Sequence, residues 1–556
     1  MTKCTPWMLL LLLLAPACDG GADADDGGAD ADTDADVDTD VDADTDEEFE
    51  FDIQRVFDDV AWLAHDDRTG RLPGTPGNEA AVEYVRELFE DLGLTPAGDG
   101  GTFMQAFQFD LWEVEGTPAV SLEGTPLTPG SGFSVIQYSG AGSVEAEIVF
   151  AGHGMTVPPF DPAAHPNCPL PAAGYDDFAD VDVTGRIALV IRRGPANLEA
   201  IHDHCPANAA CAATPCLWNF GYKARNAALN GAVGVIVVNN YQQSGAVPAG
   251  VTLTGDYYVE DLPVVFAERS AVEAVVPDLH SWSQAIDADL QPHSQATGAT
   301  AAIEVEAGVE TVTADNVLGV LPGTDPELAD EVIVVGAHLD HLGQDPVTNE
   351  IYNGADDNAS GTAVVMELAR AFVLGGHQTA RTLVFAAWNA EELGLIGSCH
   401  HVQHPAFPMS QTVAAYSIDM VGAGQGIGLG VYGATLPANA WLAQVMSGYA
   451  GELGLGFTVV PTTPLDASDH VCFFYAGVPA VLLSTLGNHD YYHTPGDTID
   501  TILMEDLEAA VWLSWAGIYP IAMGFEDLYL GSKTHIPAPA YDPAAEDPRR
   551  LRERHR

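Results

Sequence analysis

Positive charge is the scarcest resource in this 556-residue chain: 19 Lys and Arg stand against 80 Asp and Glu, a net charge of -61. A surface so acidic repels nucleic acid and anionic lipid surfaces alike, which excludes nucleic acid as a partner. Between Glu304 and Ile536 the only cations are Arg370, Arg381 and Lys533. Residues 19–50 hold 16 of the acids, yet the remainder is still strongly acidic, as suits a protein dissolved outside the cell and in salt. Long apolar runs are also lacking. The one Leu-rich stretch, in MTKCTPWMLLLLLLAPAC, is too short for a stable membrane span and reads as a secretion signal over residues 1–18. Its end fits two cleavages: Ala15-Pro16-Ala17 is a small-x-small site, and Leu14 to Cys18 resembles a bacterial lipoprotein box with Cys18 as the lipid anchor. The protein is therefore expected outside the cytoplasm, as a cell-envelope lipoprotein or secreted, with no transmembrane helix in the mature chain.

Cysteine is sparse as well, at eight residues. Cys168, Cys205, Cys211 and Cys216 cluster, while Cys399 and Cys472 lie apart. Four cysteines allow three pairings, and the sequence does not choose among them. His202 and His204 beside Cys205 invite a zinc reading, but their spacing fits no standard ligand set, so disulfides or free thiols are expected.

What is present divides the chain into five parts. After the signal, residues 19–50 are an Asp/Ala/Thr/Val repeat that cannot bury apolar surface and should be a disordered tether. From Phe51, apolar residues at three- and four-residue intervals predict helices, with a strand over Phe103 to Phe109. This α/β pattern stops near residue 112 and resumes at 308, so residues 51–112 and 308–530 form one discontinuous domain. Between them, residues 113–307 are rich in Gly, Pro and short strands around a single helix, Tyr222 to Asn230. Residues 531–556 read as a loose Pro-rich, basic-ended tail.

In the resumed half, strands and helices alternate: Val332–Ala337, helix Gly361–Leu374, Thr382–Trp388, helix Leu393–His401, Val413–Ile418, helix Ala438–Glu452, Ala480–Ser484, helix Met504–Ile518. Such alternation predicts an α/β fold, a mostly parallel, doubly wound sheet with helices on both faces. Ligands in such sheets gather beyond the carboxyl ends of strands. Here those ends deliver His338, then Asp357 in GADDNASG, Glu391-Glu392, Asp419 and His493. His338 and Asp340 are two apart on extended chain and share a face, so Asp340 can accept the imidazole N–H and fix its tautomer. The adjacent carboxylates of Glu391 and Glu392 are costly to desolvate unless a cation or proton neutralises them. A solvated loop or a structural His–Asp pair would explain any one of these alone; the ordered set points to metal. His341 falls out as a loop residue.

The motifs AHLDHLG, GADDNASG, NAEELGLIGS, SIDMVG, SDH and YHTPGDT, in this order, resemble the co-catalytic two-zinc aminopeptidases, over residues 71–109 and 315–522. GRIALVIRRG, FGYKARNAALNGAVGVIVVNN and LPVVFAERS resemble a protease-associated domain, a β-rich α+β insert expected to shape or cover the neighbouring site. The resemblance implies two zinc ions per subunit, with Asp357 bridging, Glu392 and His493 completing one site and His338 and Asp419 the other. It further implies Glu391 as general base, a cis peptide after Asp357, and hydrolysis of the amino-terminal bond of peptides or proteins by a metal-bridging water. The ligand set, two His and three carboxylates without Cys, suits zinc and would also hold cobalt or manganese. Tyr475 and Tyr492 are both candidates to donate to the developing oxyanion. A carboxypeptidase of the same superfamily would need Arg or Lys for a substrate carboxylate, and few are available. A catalytically dead binding module should have lost ligands or base, and all six positions are filled.

Overall fold

The structure, a computed structural model, describes residues 49–136, 139–211, 216–242, 258–345, 348–424, 428–465 and 467–530. The signal, Cys18, the tether up to residue 48 and the 531–556 tail lie outside the described residues. No described helix is long and apolar enough to cross a membrane.

The strand Val332–His338 lies at the centre of the α/β half. All seven residues are buried, because parallel neighbours flank it and helices cover both faces. With period two, Ile333, Val335 and Ala337 enter a core shared with helices Ile53–Leu63, Gly361–Leu374 and Met504–Ala522. Val332 and Val334 face the opposite core, with Trp388, Met409 and Phe473. The strand order 458–462, 428–432, 480–485, 412–418, 332–338, 382–388, 295–321 continues through 142–150, 187–191, 234–238, 264–267 and 133–135. Strands 332–338, 382–388, 412–418 and 480–485 pair in parallel, as do the successive strands from 142 to 267. The antiparallel pairs include 295–321 against 382–388 and 428–432 against 480–485.

Two strands run far beyond their sequence signal. Met104–Leu122 and Gln295–Leu321 pair antiparallel from Met104↔Val317 to Leu122↔Ala301, with Glu113 opposite Gly308. Both connections between the α/β half and the inserted segment thus lie side by side in one ladder. In the middle of the ribbon Val309 to Thr311 are exposed, while Leu111 and Trp112 opposite them are buried, so the two strands do not share one alternating apolar pattern there. The expected helix Leu393–His401 starts later, at Ile396, and runs to Gln403. The residues before it form a turn with Ala390, Gly394 and Leu395 at positive φ (56°, 108° and 57°).

Three disulfides join Cys168 to Cys205, Cys211 to Cys216, and Cys399 to Cys472. The last ties the helix that follows the Glu391-Glu392 turn to the short helix His470–Tyr475. His202, for which zinc was weighed, instead accepts the Trp218 backbone N–H through Nδ1 and stacks on the Trp218 indole.

Candidate active site

Each candidate side chain leaves the carboxyl end of a strand or the loop after it. Gly336 is required one turn below the site: a Cβ there would stand 2.3 Å from Trp388 Nε1, so only glycine lets the indole cross the central strand. Gly354, at φ 60°, is the second such position, since a Cβ would meet the Asp357 carbonyl and the His341 ring at 2.2 and 2.5 Å. The next loop carries Asp357, followed by a cis peptide to Asn358.

The structure brings all seven expected residues together. His338 Nε2 stands 3.4 Å from Asp357 Oδ1, 3.5 Å from Asp419 Oδ1 and 3.9 Å from Glu391 Oε2. On the other side, His493 Nε2 stands 3.2 Å from Asp357 Oδ2 and 3.0 Å from Glu392 Oε2. Asp340 does more than expected. Its carboxyl lies 3.6 Å from His338 Nδ1, and its two oxygens accept the backbone N–H groups of Glu391 and Glu392 at 3.1 and 3.2 Å. Those bonds hold the turn whose Ala390 and Leu395 sit in the left-handed region, a conformation that costs a non-glycine residue about 1–2 kcal/mol. One side chain therefore aims both glutamates, while the hydrogen-bond partner of His338 Nδ1 is the backbone carbonyl of Asp340 at 3.3 Å.

His341 has to be restored to the site. It is fully buried, its Nδ1 lies 2.7 Å from Glu392 Oε1 and 3.8 Å from Asp357 Oδ2, and its Nε2 has no hydrogen-bond partner. Two imidazoles thus reach this side of Asp357. The 3.0 and 3.2 Å contacts of His493 fall a little short of the about 3.3–3.6 Å that separates donors sharing one tetrahedral ion at bond lengths near 2.0–2.2 Å, and His341, Asp357 and Glu392 also hold donor atoms within 4.8 Å of one another. The shorter contact of His341 is a hydrogen bond that orients Glu392.

Other supporting residues carry no motif that isolates them. Arg71, fully buried, donates to the carbonyls of Leu63, Leu339, Asn353 and Gly354 and so ties both ligand loops to the amino-terminal segment. Asp497 accepts the backbone N–H groups of Asp356 and Asp357 at 2.9 and 3.0 Å. Asp356 accepts from Gly422 and Ala423 and pairs with His489 at 2.5 Å. Asp469, in the SDH motif, is buried with neither carboxyl oxygen hydrogen-bonded. Adjacency in sequence hints at Asp356 and His341, and the motifs SDH and YHTPGDT contain Asp469 and Asp497; only folding discloses what these two and Arg71 touch.

The electrostatics show a site short of positive charge. Burial pushes Asp469 up to about 7, and burial with the neighbouring Glu392, Asp469 and Asp419 raises Glu391 well above the carboxylate range. Burial opposes charge on His493, but Glu392 and Asp357 outweigh it and lift the imidazole to about 10. The nearby fixed cation, Arg71, spends its donors on carbonyls. Asp357 Oδ2 and Asp419 Oδ1 are buried without a hydrogen-bond partner. Orphaned oxygens, crowded carboxylates and His/carboxylate donors within 4.8 Å of one another around Asp357 fit divalent cations of the zinc type.

A cavity of about 280 Å³ opens on Asp357, Glu392, Asp419 and His493, with Met420, Tyr432, Leu465 and Leu482 among its walls. Tyr492 lines it, and Tyr475 does not. Among the described residues, none of the 113–307 segment and no Lys or Arg lines this cavity. Arg370 is bound to Asp59 and Glu367, and Arg381 to Glu331 and Glu526.

Residues 316–516 match the model of peptidase family M28, and residues 144–275 that of the PA domain. The aminopeptidase YwaD of Bacillus subtilis is 28% identical over 404 residues, 72% of this chain and 72% of that protein. The solved aminopeptidase from Aneurinibacillus sp. strain AM-1 superposes with a TM-score of 0.62 at 24% identity, covering 85% of this chain and 94% of that one. BSAP, a zinc aminopeptidase from Bacillus subtilis, gives 0.58 at 22% identity, over 90% and 100% of the two chains. The two structural likenesses establish the shared fold.

Proposed function

We infer that this chain, a member of peptidase family M28 with an inserted PA domain, is an exported two-zinc aminopeptidase that removes residues from the free amino terminus of peptides or proteins. The observation that carries this reading is the position of Asp357, whose two oxygens face different imidazoles, His338 and His493. His338 and Asp419 would hold one ion, Glu392 and His493 the other, with Asp357 common to both. Bound there, the ions supply activation of a water and polarisation of the scissile carbonyl.

The chain's own groups do the rest. Glu391 takes the proton from the attacking water and returns it to the leaving amine. Asp340 keeps Glu391 and Glu392 on their separate tasks through the two backbone bonds. Tyr492 lines the cavity where the oxyanion develops, and the carboxylates around it receive the substrate's ammonium group. Walls of Met420, Tyr432, Leu465 and Leu482 favour an apolar first side chain. A carboxypeptidase needs a cation for the terminal carboxylate, and the absence of Lys and Arg from the cavity lining argues against that activity.

Purified protein should hydrolyse Leu- and Ala-p-nitroanilide but not amino-terminally blocked peptides, lose activity to a chelator, and regain it with zinc. Cleavage of blocked peptides would refute the exopeptidase reading. Export with lipid attachment at Cys18 belongs to the same proposal. The expressed protein should fractionate with membranes and Cys18→Ala should release it; equal partitioning of the two forms would argue for plain secretion.

A further inference from the structure

Beside the first cavity lies a second, of about 240 Å³. The two share Asp357, Met420, His489 and Tyr492, but Glu392, Asp419 and His493 line only the first. The reacting bond and the amino-terminal residue therefore belong in the first, and a peptide continuing past its leaving nitrogen runs into the second. At the junction stands Asp357, buried, with an oxygen that no hydrogen bond satisfies.

The chemistry of the second cavity is distinct. Its walls carry Asp356, Asp490, Asp497 and Asp500, the rings of Tyr491 and Tyr492, and Leu503. Asp356 and Asp497 are spent on backbone N–H groups and on His489. Asp490 and Asp500 are exposed and make no ion pair or side-chain hydrogen bond with a described residue. Tyr491 and Tyr492 are each 52% exposed, and Leu503 45%. From Thr382 to Leu530 the sequence contains no Lys or Arg to satisfy these carboxylates from within. Aromatic faces and an apolar residue beside free carboxylates suit a side chain with an apolar stem and a cationic head.

We propose that this second cavity is the subsite for the residue after the scissile bond and that it selects Lys or Arg there through Asp490 and Asp500. The proposal builds on the aminopeptidase reading and adds a substrate class to it: peptides with an apolar first and a basic second residue. Arg or Lys lays its stem over Tyr491 and Leu503 and its charge between the two carboxylates, whereas an acidic second residue is repelled.

The test compares kcat/KM for Leu-Lys-amide, Leu-Ala-amide and Leu-Glu-amide at low ionic strength. Lys should exceed Ala by about 5- to 30-fold, the gain of one or two partly exposed ion pairs, with Glu below Ala. The preference should shrink in 1 M NaCl. In Asp500→Lys, a substitution in an exposed turn, the Lys-to-Glu ratio should fall at least about fivefold; Asp490→Asn provides a second, independent reading of the same ratio. Equal rates for the three amides from an enzyme that cleaves Leu-p-nitroanilide would overturn the proposal and leave the aminopeptidase reading intact. So would a basic preference at the first position instead of the second. No cleavage of Leu-p-nitroanilide by zinc-loaded protein would overturn both.

Discussion

Glu391→Gln should retain a wild-type zinc content and lose turnover by roughly 10²- to 10⁴-fold, the usual contribution of a positioned general base. The expectation follows from how the residue is held. Its backbone N–H is fixed by Asp340, its side chain is only 13% exposed, and its Oε2 lies 3.9 Å from His338 Nε2 while Glu392 turns to His493 and His341. Gln preserves that shape and those backbone bonds while removing the basicity. Metal analysis together with kcat on Leu-p-nitroanilide checks both halves. Turnover within a few-fold of wild type would move the base elsewhere, with Asp469 the next buried carboxylate to examine. Loss of zinc would make Glu391 a ligand instead.

Asp357→Asn should be the more damaging change, losing metal as well as activity. Asp357 belongs to both groups of donors, the one with His338 and Asp419 and the one with His341 and Glu392, so weakening it would weaken both ions of the proposed pair together. Its carboxylate is pulled well below its ordinary range: burial works against the charge, and the imidazoles of His338, His493 and His341 close by overcome it. Asn offers one acceptor oxygen and no charge, leaving an imidazole on one side without its partner. After dialysis against metal-free buffer, the variant should contain less than half the wild-type zinc and a residual rate below that of Glu391→Gln. Wild-type zinc content after the same dialysis would refute the shared-ligand assignment.

The adjacent acid shows why the two Asp residues of GADDNASG are not interchangeable. Asp356 points away from the imidazoles and spends its oxygens on Gly422, Ala423 and His489. Motif order distinguished it from Asp357, whereas the reason lies in the local backbone, which turns one carboxylate to the donors and the other to a loop 66 residues later.

Much of the fold was legible because parallel strands buried on both faces must be apolar along their whole length. Val332–His338, Thr382–Trp388 and Ala480–Thr485 stand within a residue or two of where the sequence placed them. The full length of the ribbon formed by Met104–Leu122 and Gln295–Leu321 was not legible, since Val309 to Thr311 of the second strand are exposed and break its apolar alternation. The turn at Ala390 to Leu395 hid a late helix start for a related reason: its conformation is imposed by the Asp340 carboxylate, 51 residues away in sequence, and local propensity does not report it.

Sequence alone determined the chemistry on offer. The run of strand ends named His338, Asp357, Glu391, Glu392, Asp419 and His493, because a metal-binding carboxylate or imidazole must be encoded as such and a buried strand must be apolar. Tertiary structure decided how those groups are used. It turned His341 inward onto Glu392 and set Arg71 and Asp497 beneath the ligand loops. It also placed Tyr492, not Tyr475, at the cavity and left Asp490 and Asp500 free beside it. These assignments depend on contacts between residues distant in the chain, and such contacts exist only once backbone direction and side-chain burial have been fixed by packing.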